Sequence, residues 1–280
     1  MRHQSFSFDY LQQISQYKTV PLAAMATYPH PDAYGLTKET AFNGYAVAHR
    51  NKLGALVQWN SSRPDMGIQT TYSGMAIAAY MEHGVSSFEL FRFHSKRGDR
   101  LNRIDLAIDV RDTGVSIHKL YKRCEHGKID TRCEKIDLDI STDGGATLYV
   151  GARTSDKCLR IYDKAAERHI EGIDWKRIEL ECKGDVAYQL GRKFATMSDD
   201  EIIAMSKAVI RNHIDFRNEW WHWATGNIKC PIVVPQKKND DLLKWLDKQV
   251  VPALANYIKR GGNPDVIRLL EQMVNDRLRE

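Results

Sequence analysis

The sequence predicts an α+β protein: a mostly antiparallel sheet with one polar face, helices packed on its other face, and a helical C-terminal region. Three observations predict it. Several segments between Arg103 and Lys183 alternate polar and apolar residues, the period of a strand with two unlike faces. Short runs at helical spacing separate them. Beyond Ser198 the helical pattern takes over.

The elements follow in order. Tyr28-Pro-His-Pro-Asp32 is a loop by its prolines. Gly44–Arg50 and Leu53–Trp59 read as strands around an Asn51-Lys52 turn. Met66–Tyr72 is a further short strand. Met75 to Met81 suggests a helix stopped at Gly84. Arg103–Val110 is a strand, Thr113–Cys124 a helix ended at Gly127, and Lys135–Ile140 alternates again. Thr147–Gly151 follows an Asp143-Gly144-Gly145 turn. Cys158–Tyr162 is a strand that runs into a short helix, Lys164–Arg168. Trp175–Cys182 alternates most strongly, and Asp185–Phe194 reads as a helix. Ser198-Asp-Asp-Glu201 is a capping box before Ile202, Ile203 and Met205. Pro231–Asn239 reads as a linker, Leu242–Ile258 as an amphipathic helix, and a last helix starts near Asp265. No repeat of fixed period is visible. The expected regions are 1–100, α+β; 101–196, a sheet with a polar face; and 197–280, helical.

Composition excludes several classes. The 280 residues are 42% hydrophobic and 28% charged, as in ordinary globular proteins, which excludes wholesale disorder. Eighteen glycines and 8 prolines exclude a collagen-like chain. No stretch approaches the ~20 apolar residues of a membrane helix. MRHQSFSFDY carries no apolar signal core, and five scattered cysteines suggest reduced thiols, so a cytoplasmic location is expected. The 41 basic and 36 acidic residues give a net charge of +5, which permits a nucleic-acid partner without demanding one.

Alternation fixes which residues share a face. Arg103, Asp105, Ala107 and Asp109 face one way; Ile104, Leu106, Ile108 and Val110 face the other. Arg177, Glu179, Glu181 and Lys183 share a face, as do Arg160, Tyr162 and, if the strand lasts that far, Lys164. Thr147, Tyr149 and Gly151 form another set. With the apolar faces buried on helices, one polar surface remains. Asp105, Asp109, Glu179 and Glu181 could converge there and hold Mg²⁺ or Mn²⁺. Arg160, Arg177, Lys164 and Lys183 could hold phosphates. Tyr162 offers a nucleophilic hydroxyl, which needs a nearby cation or metal to attack at neutral pH. For any single strand the ordinary reading is a solvated face with cross-strand ion pairs.

Four blocks occur in a set order: Arg103-Ile-Asp-Leu-Ala-Ile-Asp109, Thr147-Leu-Tyr-Val-Gly-Ala-Arg-Thr-Ser155, Leu159-Arg-Ile-Tyr-Asp-Lys164 with Glu167, and Arg177-Ile-Glu-Leu-Glu181. Together they resemble the replication initiation factor family, the rolling-circle initiators of staphylococcal-type plasmids and filamentous phages and related relaxases. Weaker likeness extends to Phe8-Asp-Tyr-Leu11, Asn43-Gly44-Tyr45 and Tyr72-Ser73-Gly74, while the C-terminal third carries no matching motif. The resemblance implies a DNA strand transferase. A tyrosine nicks one strand at an origin, forms a 5′-phosphotyrosine link and frees a 3′-hydroxyl, and carboxylates hold a divalent metal. Carried over, Tyr162 is the expected nucleophile, with Tyr149 in reserve and Arg160 and Lys164 beside it. Asp105, Glu179 and Glu181 are the best metal ligands, with Asp109 next. No His-hydrophobic-His motif occurs, which a carboxylate site fits. Expected partners are single-stranded or hairpin origin DNA, a host helicase and polymerase, and a second copy of the chain. The alternatives are a relaxase starting conjugative transfer and a non-catalytic DNA-binding regulator.

Other features are weaker. Phe88–Arg103 mixes aromatics with Arg92, Lys96, Arg97, Arg100 and Arg103, readable as a DNA-gripping loop or as a strand edge with core phenylalanines. Glu219-Trp-Trp-His-Trp-Ala224 suits core packing better than base stacking. Cys124, His126 and Cys133 lack a fourth ligand at zinc spacing.

Overall fold

The computed structural model describes residues 2–16, 26–141, 145–232, 246 and 250–277. It divides into two compact units, Met1–Val233 and Val234–Glu280. The first unit holds β1 (His3–Ser15), β2 (Leu36–Glu39), β3 (Val47–Asn51), β4 (Leu56–Trp59), β5 (Ile68–Tyr72), α1 (Gly74–Glu82) and α2 (Ser87–Lys96). It continues with β6 (Arg100–Arg111), α3 (Ile117–Glu125), β7 (Asp130–Thr131), β8 (Ile136–Ile140), β9 (Ala146–Val150), β10 (Lys157–Asp163), α4 (Lys164–Glu167) and β11 (Trp175–Lys183). α5 (Gly184–Phe194), α6 (Asp199–His213), β12 (Ile214–Asp215) and α7 (Glu219–Thr225) complete it. The second unit holds α8 (Val251–Lys259) and α9 (Val266–Arg277). The expected α+β class is what the structure shows. The expected Asp143-Gly144 turn, most of the Pro231–Asn239 linker and most of the Leu242–Val250 helical stretch lie outside the described residues.

Ten strands form one antiparallel sheet, ordered β2-β3-β4-β5-β1-β6-β11-β10-β9-β8. The order contains a repeat that the sequence hides. A central strand, β1 or β6, is followed by a meander that starts at the sheet edge and returns to pair with it. The two halves meet where β1 pairs with β6. The expected boundary at residue 100 therefore falls between strands of one continuous sheet.

Burial explains the central strands. Ile104, Leu106, Ile108 and Val110 of β6 and Ile178, Leu180 and Cys182 of β11 are fully buried on one face. Against this face lie α2 and α5, whose Phe91 and Phe194 rings pack at 5.9 and 6.1 Å from Phe8 of β1. α5 presents Val186, Ala187, Leu190 and Phe194 at helical spacing. Gly191 lets α5 approach: a Cβ there would stand 2.9 Å from Leu101 Cβ. α6 opens with the expected capping box, Ser198 with Glu201. Trp220 and Trp221 of α7 are buried, Trp221 against Phe216 at 4.9 Å, which is packing.

Phe88–Lys96 departs from expectation. It is a helix, not a loop or strand edge. Ser86 and Glu89 form a capping box at its start, and Leu90, Phe91 and His94 are buried.

His94 sits in a buried polar chain. The Tyr28 backbone N–H donates to the Tyr72 hydroxyl at 2.8 Å; that hydroxyl is 3.0 Å from His94 Nε2, and His94 Nδ1 is 2.7 Å from Asp99 Oδ2. Arg97 also stands 3.7 Å from Asp99. Burial holds the His94 imidazole below its ordinary value, against the pull of Asp99. His213, bonded to the Val150 carbonyl at 2.9 Å, is lowered for the same reason. Both histidines therefore bind fewer protons folded than unfolded. Their contribution to stability should fall as pH drops below about 6.5, by at most about 1.4 kcal/mol per pH unit for each. The Asp105 carboxyl, raised by burial, works in the opposite direction over the same range. Thermal unfolding between pH 7.5 and 5, compared with a His94→Gln, His213→Gln double variant, isolates the histidines, and a pH dependence that the two substitutions leave unchanged would contradict this.

Candidate active site

The polar face of the C-terminal half-sheet gathers the expected phenol, carboxylates and guanidiniums. Register sets its neighbours. Asp105 lies opposite Glu181, Glu179 opposite Arg160, Arg177 opposite both Asp109 and Tyr162, and Tyr149 opposite Arg160. On β1, β4 and β5 of the N-terminal half the paired polar positions are uncharged, Gln12 with Thr71 and Gln58 with Gln69.

Tyr162 is nearly buried and donates its hydroxyl hydrogen to Glu179 Oε2 at 2.9 Å. Glu179 is fully buried and also accepts from Arg160. Burial first, and the Glu179 charge next, hold the Tyr162 phenol well above its ordinary value, with Arg177 opposing. β10 ends at Asp163, so Lys164 belongs to α4 rather than to the strand. Its ammonium still reaches the Tyr162 oxygen at 3.4 Å and pairs with Glu167. The Asp163 carboxylate caps α4 by accepting from the Ala166 N–H at 3.0 Å, which fixes the turn that brings Lys164 back.

Arg103 ties the remaining acids together. It binds Asp105 through two bonds of 2.9 and 2.7 Å and Glu181 at 2.5 Å. Arg160 lies 3.7 Å from Asp105, and Lys183 2.6 Å from Glu181. Burial pushes the Asp105 carboxyl up to about 7 in spite of Arg103. Asp105, Glu179 and Glu181 offer the hard oxygen donors that suit Mg²⁺ or Mn²⁺. Arginine side chains stand among them, and among the described residues no three His, Cys, Asp or Glu side chains surround one ion-sized point.

Other expected residues are tied up by different partners or lie away from this face. Asp109 accepts from Arg177 Nε and Nη2 at 2.8 and 2.7 Å and from Trp175 Nε1 at 2.8 Å. Asp9 takes the remaining arm of Arg177. Arg177 is thus clamped between two carboxylates and only 6% exposed. Arg177→Ala leaves both acids without a counter-charge, Asp109 keeping only Trp175, and should cost about 3–5 kcal/mol. Chemical denaturation measures it, and a loss under about 1 kcal/mol would refute the clamp's importance. Arg92, Lys96 and Arg97 belong to α2 and its cap in the helical layer. Arg92 holds Asp199 and the Met197 carbonyl, and Arg97 lies over Phe93. Arg100 pairs with Asp185 at 2.7 Å and Tyr188 at 4.2 Å on α5. Of the expected DNA contacts, only Arg103, Arg177 and Lys183 share the face of Tyr162. Cys133 faces His213 at 3.5 Å, with Cys124 apart on α3.

Sequence reasoning missed Asp9, Tyr10 and Arg153. Asp9 sits at a β-bulge between Phe8 and Tyr10, and Tyr10 lies under the Arg103 guanidinium at 4.1 Å. The Phe8-Asp-Tyr-Leu11 likeness was the available signal. Arg153 lies over the Tyr149 ring at 4.1 Å.

Two cavities flank this chemistry. One, of about 290 Å³, is lined by Thr147, Tyr149, Arg160, Tyr162, Asp163 and Glu167 among others. The second, of about 340 Å³, is lined by Arg103, Tyr149, Arg153, Cys158, Arg160, Glu181 and Lys183. They share Tyr149 and Arg160.

The fold has a counterpart in a solved replication initiator. The sequence profile of the replication initiation factor family matches residues 99–274, more than half of the chain, and the chain belongs to that family. The match runs into the C-terminal third, where no motif was recognised. NicK of Bacillus subtilis (strain 168), itself a candidate DNA relaxase, is 28% identical over 196 residues, 60% of this chain. The chain spans 55% of that relative's length. The solved structure of a rolling circle replication initiator protein from Geobacillus stearothermophilus matches at a TM-score of 0.64 and 19% identity, over 84% of this chain and 100% of that one. That likeness shows the fold. Among the described residues no helix is long and apolar enough to cross a membrane.

Proposed function

We propose that this protein nicks and rejoins one DNA strand to start rolling-circle replication, with Tyr162 as nucleophile. The observation that carries the reading is the Tyr162 hydroxyl donating to buried Glu179 with the Lys164 ammonium 3.4 Å away. Nucleophile, proton acceptor and cation meet at one oxygen, the arrangement an activated hydroxyl needs.

The step balances without an outside energy source. The Tyr162 oxygen bonds to the phosphorus of the scissile phosphodiester as its proton passes to Glu179. The bond to the 3′ oxygen breaks with its electron pair and that oxygen takes a proton from water, leaving a 5′-phosphotyrosine and a 3′-hydroxyl. Lys164 and Arg160 offset the developing negative charge. One phosphodiester replaces another, so the reverse attack reseals the strand. The free 3′-hydroxyl is the primer a polymerase extends, with a helicase opening the duplex ahead.

A divalent ion fits the donors in type. Asp105, Glu179 and Glu181 would hold it. It would polarise the phosphate.

The test is direct. Purified protein with Mg²⁺ or Mn²⁺ is incubated with a labelled single strand spanning the origin beside its gene. A covalent protein–DNA adduct is expected. Tight binding without any adduct, under either ion, would instead identify a non-catalytic regulator. The likeness to NicK favours a second setting for the same chemistry, a relaxase freeing a strand for transfer; mapping the nicked site separates the two.

A further inference from the structure

We infer that the 340 Å³ cavity is a nucleotide-binding subsite that holds the base next to the scissile phosphate against the Tyr149 ring. The inference rests on the nicking reading above and adds a substrate contact to it. The cavity lies at the lower end of ligand-pocket sizes, about 300–1,000 Å³, which suits one nucleotide and excludes a duplex. Tyr149 lines both this cavity and the one lined by Tyr162, so a strand passing between them crosses its ring.

The surroundings favour a nucleotide. Four cations, Arg103, Arg153, Arg160 and Lys183, line the cavity against one carboxylate, Glu181. Arg103 and Arg160 are engaged by Asp105, Glu181 and Glu179, and Lys183 by Glu181 and the Arg153 carbonyl. Arg153 is the available one. Its partner is Asp139, and with both side chains more than half exposed the pair is worth at most about 1 kcal/mol. A phosphate can replace Asp139 at little cost, while the guanidinium already sits 4.1 Å over Tyr149. A ring beside a guanidinium at a cavity wall is how proteins hold an unpaired base next to its phosphate. Tyr149 is held by strand pairing to both Arg160 and Asp137, so the platform is rigid. The proton-accepting carboxylate contacts Tyr162, which leaves Tyr149 for binding rather than attack.

The experiment uses Tyr162→Phe protein, which leaves the strand uncut, and single-stranded oligonucleotides spanning the mapped nick site. An abasic residue is placed at each position in turn and binding is read by anisotropy. Removing one base beside the nick should weaken binding about tenfold. Adding Tyr149→Ala should weaken intact DNA to the same extent and abolish the response to that abasic residue. Tyr149→Phe in its place should restore the response. Arg153→Ala, on an exposed side chain, should weaken binding several-fold and reduce its log–log salt slope by about 1. Independent, multiplying losses at every position, or a Tyr149→Phe protein that behaves like Tyr149→Ala, would overturn the subsite. If Tyr149→Ala does not fold, an unchanged salt slope for Arg153→Ala overturns it alone. Adduct formation by the parent protein on the intact strand is scored separately, so a failure of the nicking reading is recognised as such.

Discussion

Tyr162→Phe should form no covalent DNA adduct, while binding single-stranded DNA as the parent does. The expected loss is complete within detection, since the substituted side chain has no oxygen to bond to phosphorus. The fold should survive. Tyr162 is 9% exposed at a cavity wall, and its ring packing remains when the hydroxyl goes. What is lost is the hydrogen bond to Glu179, which stays bonded to Arg160, and the long one from Lys164, which stays paired with Glu167. Denaturing gel electrophoresis of protein bound to labelled strand reads the adduct. An undiminished adduct would reassign the nucleophile, first to Tyr149, and would remove the basis of the mechanism.

Glu179→Gln should form the adduct about 10²–10⁴ times more slowly than the parent, the usual contribution of a positioned proton acceptor. The amide keeps the size of the side chain but cannot take the Tyr162 proton. The phenol, held high by burial, is then without its acceptor. A divalent ion bound through Glu179 would weaken as well, so calorimetric titration with Mn²⁺ distinguishes the two losses. A slow step that raising the pH restores, with Mn²⁺ affinity unchanged, points to proton transfer alone. A Glu179→Gln protein as fast as the parent would contradict both roles.

Much of this site was legible beforehand. Period-two alternation put Asp105 with Arg103, Glu179 with Glu181, and Tyr162 with Arg160, and the structure keeps each set on one face. Lys164 was expected beside Tyr162 only if the strand continued; the strand stops, and a capped turn delivers the ammonium anyway. Phe88–Lys96 misled because its signal is local and small. Ser86 and Glu89, three residues apart, start a helix that buries the aromatics and ties Arg92 to Asp199. Asp109 and Arg177 looked like a metal ligand and a phosphate contact. Their mutual clamp, completed by Asp9 from 168 positions away in the chain, is a long-range fact.

By itself, then, the sequence determined the fold class, the family and the residues that share a face, because side chains alternate strictly along a strand. Only the tertiary structure decided which strands are neighbours, and so which carboxylate meets the phenol and which holds an arginine in place. β6 and β11 lie some seventy residues apart, and their pairing is selected by apolar rows that must be buried together against α2 and α5. A single chain's local pattern carries no record of that choice.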